Sequence, residues 1–167
     1  MIDSFEDQDI SEYTGDTSPF VVVNTRAYDG SYSLTHDTGY GHEIFSTSGL
    51  DEYPKAGSDF EVWWWRDPNN SYSFSLLFGG TTNTSCYVVD FNTSGSSFAL
   101  EKRSGDTIGN TLASELGVSY PTGEWCRCKV NWGSSGTIET FIEDSTGASW
   151  SRADRRPSQS TRGVFSP

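Results

Sequence analysis

Apolar and polar positions alternate with a period of two through most of this chain. The pattern runs through PFVVVNT (19–25), HEIFST (42–47), DFEVWWWRD (59–67), SYSFSLLFGG (71–80), CYVVDFNT (86–93) and SFALEKR (97–103), and again through EWCRCKVNW (124–132) and TIETFIED (137–144). Successive side chains of a strand point to opposite faces, so this alternation predicts half-buried strands. After 19–25, YDGSYSLTHD predicts a turn and a second strand. Asp29-Gly30 supplies the hairpin chemistry there, because glycine tolerates positive φ. GSSG (133–136) joins the last two strands, while DTIGNTLASELG (106–117) suits either a strand or a short helical turn. Strands at this spacing, with Gly, Asn and Ser between them, predict an all-β antiparallel β-sandwich. No internal repeat of roughly 20–50 residues is present, which argues against a solenoid or propeller.

Parity assigns faces. Phe60, Val62 and Trp64 share one side of their strand, and Glu61, Trp63 and Trp65 share the other. Phe74, Leu76 and Phe78 alternate with Ser73, Ser75 and Leu77. Cys126, Cys128, Val130 and Trp132 alternate with Trp125, Arg127, Lys129 and Asn131. The apolar sets belong to one core. Trp64 is therefore expected inside, and Trp63 and Trp65 on the opposite face beside a carboxylate.

Composition adds three constraints. The 167 residues suit one domain with a sizeable core, and aromatic residues, at 14% against 34% for all hydrophobic types, must supply much of the burial. Net charge is −12, and only Lys55, Lys102 and Lys129 are lysines. That field opposes nucleic acid, and an acid-rich, lysine-poor surface fits a salt-adapted source. No apolar run approaches the ~20 residues of a membrane span, and the opening MIDSFEDQD lacks the basic and apolar pattern of a leader. Cys86, Cys126 and Cys128 have no zinc-like spacing and read as buried thiols acting as small apolar residues.

Five stretches together, IDSFEDQDISEYTGDTSPFVVV, YDGSYSL, DFEVWWWR, YVVDF…FALEKR and GEWCRCKVNWGSSGTIETFIED, resemble the concanavalin A-like (LamG/jelly-roll) lectin and glucanase domains of haloarchaeal and haloarchaeal-virus type. The likeness covers roughly residues 2–150. It implies two stacked antiparallel sheets, one often concave and used for glycan, with an opening strand at D-x-F-E-D. Such domains usually end in a Gly-led closing strand. Here residues 151–167 carry Arg152, Arg155, Arg156 and Arg162 against Asp154 alone, and read either as an Arg-rich docking tail or as a shortened closing strand. The resemblance also implies a structural calcium, with Asp3, Glu6, Asp7 and Gly30 at the matching positions. Calcium takes six to eight oxygens, and the ligand that the family draws from its closing strand is altered here.

The same fold hosts hydrolases whose catalytic strand reads E-x-D-x-x-E or E-x-D-x-E, with carboxylates about 5–5.5 Å apart for retaining chemistry. The nearest matches are Asp59 with Glu61, and Glu139, Glu143 and Asp144. Neither completes the pattern, His36 and His42 fall in no HExxH or triad spacing, and no G-x-S-x-G elbow occurs. No enzyme is expected. Sugar recognition needs an aromatic plane and fixed polar groups, and Glu61, Trp63, Trp65, Arg127, Lys129 and Asn131 supply both. The alternatives are that the Gly-rich FGGTTNTS loop or a neighbouring subunit covers these rings. The expectation is thus a non-catalytic lectin-like module on a virion surface or outside the cell. Its partners would be a cell-surface glycan or glycoprotein and other virion subunits, as a homo-oligomer. A structural virion subunit and a glycan hydrolase fragment are the second and third readings.

Overall fold

The computed structural model describes residues 2–36, 39, 41–69, 73–105 and 110–143, and the course of the chain alone at 144 and 149–155. In order, the strands are β1 (Thr14–Gly15), β2 (Phe20–Val23), β3 (Ser33–His36), β4 (Ile44–Phe45), β5 (Ser58–Trp65) and β6 (Phe74–Thr82). They continue as β7 (Ser85–Asn92), β8 (Ser97–Ser104), β9 (Asn110–Leu116), β10 (Trp125–Trp132), β11 (Ile138–Asp144) and β12 (Ser149–Arg155). There is no helix among the described residues, hence none long and apolar enough to cross a membrane. The stretch at 106–117 resolves as strand β9 over its described part. Residues 151–155 lie in β12, and 156–167 lie outside the described residues.

Two four-stranded antiparallel sheets carry the domain. One is the meander β6-β7-β8-β9, and the other has the order β12-β11-β10-β5. The hairpins β1-β4 and β2-β3 form separate two-stranded sheets. The inner faces of the large sheets share one hydrophobic cluster, a β-sandwich-like build. Val89, Phe91, Phe98 and Leu100 come from one sheet; Cys126, Cys128, Val130, Ile138 and Ile142 come from the other, and all are fully buried. Aromatic contacts cross between the layers. Trp64 lies 5.7 Å from Phe74 and 5.4 Å from Phe91, and Phe60 lies 5.2 Å from Phe78. Each such pair is worth about 0.5–1.5 kcal/mol beyond its burial.

Two local features depart from the sequence expectations. The D-x-F-E-D segment is a run of turns rather than an opening strand. Asp3 Oδ1 accepts from Phe5 N at 2.8 Å, and Phe5 and Gln8 have φ of 59° and 68°, which a strand cannot hold. Asp29-Gly30 does turn the chain, with Gly30 at φ 70°, but inside the long connection 24–32 rather than at a tight hairpin tip. Elsewhere the glycine of FGG has a packing reason. Gly79 sits at φ 65° in an irregular part of β6, and a Cβ there would lie 2.3 Å from the Trp132 ring. That segment therefore backs onto Trp132 and not onto Trp63 or Trp65.

All three cysteines are free and buried, and desolvation pushes the Cys86 and Cys128 thiols up. A thiol reagent should accordingly label the native protein slowly at neutral pH and titrate all three groups once denaturant unfolds it. Phe91→Ala, removing a ring with no solvent exposure from the centre of the cluster, should lower unfolding stability by about 3–5 kcal/mol in a denaturant titration.

Candidate functional site

β10 lies antiparallel beside β5 in full register. Trp125 is opposite Trp65, Arg127 opposite Trp63, Lys129 opposite Glu61 and Asn131 opposite Asp59. The six residues expected to bind ligand, Glu61, Trp63, Trp65, Arg127, Lys129 and Asn131, thus share one sheet face, the one turned away from the core. β11 adds Glu139, Phe141 and Glu143 to that face, opposite Asn131, Lys129 and Arg127. Pairing across these strands was outside what alternation along a single strand can predict.

Charge on this face is organised around Arg127. Its guanidinium donates from Nη2 to Glu143 Oε2, and from Nη1 to Glu61 Oε2 at 3.3 Å. The Glu143 bond, outweighing the cost of burial, holds Arg127 more firmly protonated than usual. Glu61 Oε1 meanwhile accepts from Trp63 Nε1 at 3.1 Å. Glu61 thereby fixes both a ring and a guanidinium. Glu61 and Glu143 do face the same side, as a hydrolase would require, yet each addresses the guanidinium between them, an ion-pair arrangement rather than an acid facing a nucleophile.

The outward rings are half-buried, and the connection 24–32 covers them. Tyr28 stacks face to face on Trp63, with centroids 3.6 Å apart and planes 10° from parallel, and meets Trp125 edge-on at 5.7 Å. Arg26 places its guanidinium carbon 4.1 Å above the Trp65 ring. The connection is also pinned at its far end, where Glu6 Oε1 accepts from Ser31 N at 2.8 Å and Tyr32 N at 2.9 Å. A Cβ on Gly30 would lie 2.4 Å from that oxygen, so glycine is what lets the carboxylate approach. Trp65 Nε1, under Arg26, is buried without a hydrogen-bond partner, and so is Asn131 Oδ1 farther along β10. Tyr28 itself remains 45% exposed. Neither Tyr28 nor Arg26 was singled out from the sequence. The only signal available was an aromatic and a cation in a segment that otherwise reads as a turn.

The residues implied for calcium do not act as one cage. Asp3 spends its oxygens on Phe5 N and on the Tyr13 hydroxyl at 2.8 Å, and Glu6 Oε1 is taken by the two amides of 31 and 32. Asp3, Glu6 and Asp7 do line one open cavity of about 250 Å³ with Glu12 and Asp51. Among the described residues, the carboxylate oxygens that converge within 4.8 Å of one another belong to Asp7, Asp9 and Glu12. Three exposed or half-buried carboxylates fall short of the six to eight oxygens calcium takes, so water and backbone would have to complete the shell.

No family model matches the chain, and no curated protein or solved structure matches it either. Fold and face together define an all-β, sandwich-like protein with an aromatic and charged outer sheet face under a strap from the N-terminal third.

Glu6→Ala should release the pinned end of the strap. Amide exchange at Ser31 and Tyr32 should quicken, with a stability loss of about 1 kcal/mol, the order expected for exposed hydrogen bonds to a carboxylate.

Proposed function

We propose that this protein is a non-catalytic, lectin-like carbohydrate-binding module of jelly-roll type, displayed on a halophilic virus particle to attach to host-surface glycan. The observation that carries this reading is the convergence of aromatic rings with a fixed polar network on one sheet face. Glu61, Trp63, Trp65, Arg127, Lys129 and Asn131 lie together there, and Arg127 is locked between Glu61 and Glu143. Saccharides are recognised by that combination, an apolar plane for the C–H face of the ring and polar groups already oriented for its hydroxyls. A single such site is weak, and repeated display on a particle raises its avidity without new contacts. The net charge of −12 suits a medium where salt screens self-repulsion.

The second reading is a structural virion subunit whose exposed apolar positions are covered by a neighbour. Leu116, at the end of the edge strand β9, is 79% exposed, and Val21 is 42% exposed. Mass measured in molar salt separates the two readings from each other: a defined oligomer that binds no sugar favours the structural one.

In molar salt, a glycan array should return at least one saccharide class. Arg127→Ala should weaken that signal roughly tenfold or more with the near-ultraviolet circular dichroism retained. A monomer that binds nothing on the array ends both readings.

A further inference from the structure

The sheet face that assembles the polar network is sealed where its tryptophans lie. One face of Trp63 is occupied by Tyr28 and the top of Trp65 by Arg26, and Trp65 Nε1 is out of reach of solvent. A sugar approaching this protein therefore meets the strap before it meets the sheet. We infer that the contact surface for saccharide is Tyr28, the loop residue stacked on Trp63, and that Trp63 serves as its support rather than as the platform.

Three observations converge on this assignment, which rests on the carbohydrate-binding reading above. Among the described residues, Tyr28 is one of four large hydrophobic residues exposed at the surface, and of those four it is the one held flat against another ring. With one face against Trp63 at 3.6 Å and a T-shaped contact with Trp125, its plane is fixed while nearly half of its surface stays open. A pre-oriented ring loses little freedom when a ligand stacks on it, which is what a weak single site needs. The ring beneath it is itself held in place: Glu61 accepts from Trp63 Nε1, and the Arg127 guanidinium carbon lies 5.4 Å from the Trp63 ring. The ligand this selects is a ring with one apolar C–H face and equatorial hydroxyls at its rim. Arg127 is already paired with two carboxylates, so the site favours a neutral sugar over a uronate or sulfated one.

The strap is also light enough to be tested for the opposite role. On the tryptophan side it is held by one stacked pair and one cation–π contact, weak enough together to be offset by the entropy of a few ordered residues. A gate that lifts to expose Trp63 and Trp65 would use the same parts, and it predicts the reverse sign.

The test uses the full chain in molar salt, titrated with the best neutral saccharide from the array, with Tyr28→Ala, Tyr28→Phe and, as a control elsewhere on the surface, Tyr53→Ala. Tyr28→Ala should bind about tenfold more weakly, Tyr28→Phe should stay within about threefold because the ring is kept, and Tyr53→Ala should match the wild type. Tighter binding by Tyr28→Ala would mean that the strap masks the site, and unchanged binding would place the contact elsewhere; either result overturns the inference while leaving a carbohydrate-binding module standing. A wild-type protein that binds a charged saccharide and no neutral one refutes the selectivity. A wild type that binds none at all removes the inference together with the reading it rests on.

Discussion

The indole of Trp64 sets the frame for everything else on this protein. It sits between the two large sheets, against Phe74 and Phe91 from one side and 6.1 Å from Tyr120 at the edge of the core. With that ring inside, the period of two along β5 leaves no choice for its neighbours, because a slip of one residue would drive Glu61 into the cluster and expose Trp64. Trp63 and Trp65 must then face outward. The cost of three large rings in a row is that two of them need cover, and the rest of the outer layer answers that need.

The cover is chemically mixed. Tyr28 meets Trp63 as ring on ring, while Arg26 meets Trp65 as cation on ring. Each leaves a polar or charged end toward water, so the strap hides apolar area without presenting a new apolar patch. Its anchoring is electrostatic. The Glu6 carboxylate takes two backbone amides, and the Ser33 hydroxyl bonds to Arg26 O. A further link joins the same third of the chain to the other sheet, where Arg103 pairs with Glu43 at 2.7 Å and also donates to Asn83 O. The N-terminal turns and short hairpins are therefore attached to both layers of the sandwich, by side chains rather than by added strands of either large sheet.

Carboxylates outnumber cations two to one in this protein, 23 to 11, and several of them are occupied as acceptors rather than left as bare charge. Asp3, Asp7 and Asp9 bond backbone amides of the N-terminal turns, and Glu6 bonds those of Ser31 and Tyr32. This explains why a segment so acidic folds as turns. Asx-type bonds from the side chain to the amide two residues on compete with strand pairing, and here they win.

How much of this was legible beforehand divides along a physical line. Alternation along each strand is a local property of the backbone, so the sequence by itself determined the strands, the inward set from Phe60 to Trp64, the buried cysteines of β10 and the outward turn of Trp63 and Trp65. What lies across from a strand is not local. Arg127 and Glu61 are separated by 66 residues and become neighbours only because β10 closes against β5. The strap is less legible still, for Tyr28 and Arg26 sit in a segment with no periodicity and act through contacts that only the packed sheet supplies. The opening segment departs from its expected strand for the converse reason. Its residues suit a strand by analogy, but short side-chain bonds to its own amides decide its shape. Tertiary structure settled what meets the two outer indoles, because only the closed sheet fixes which distant residues lie above them.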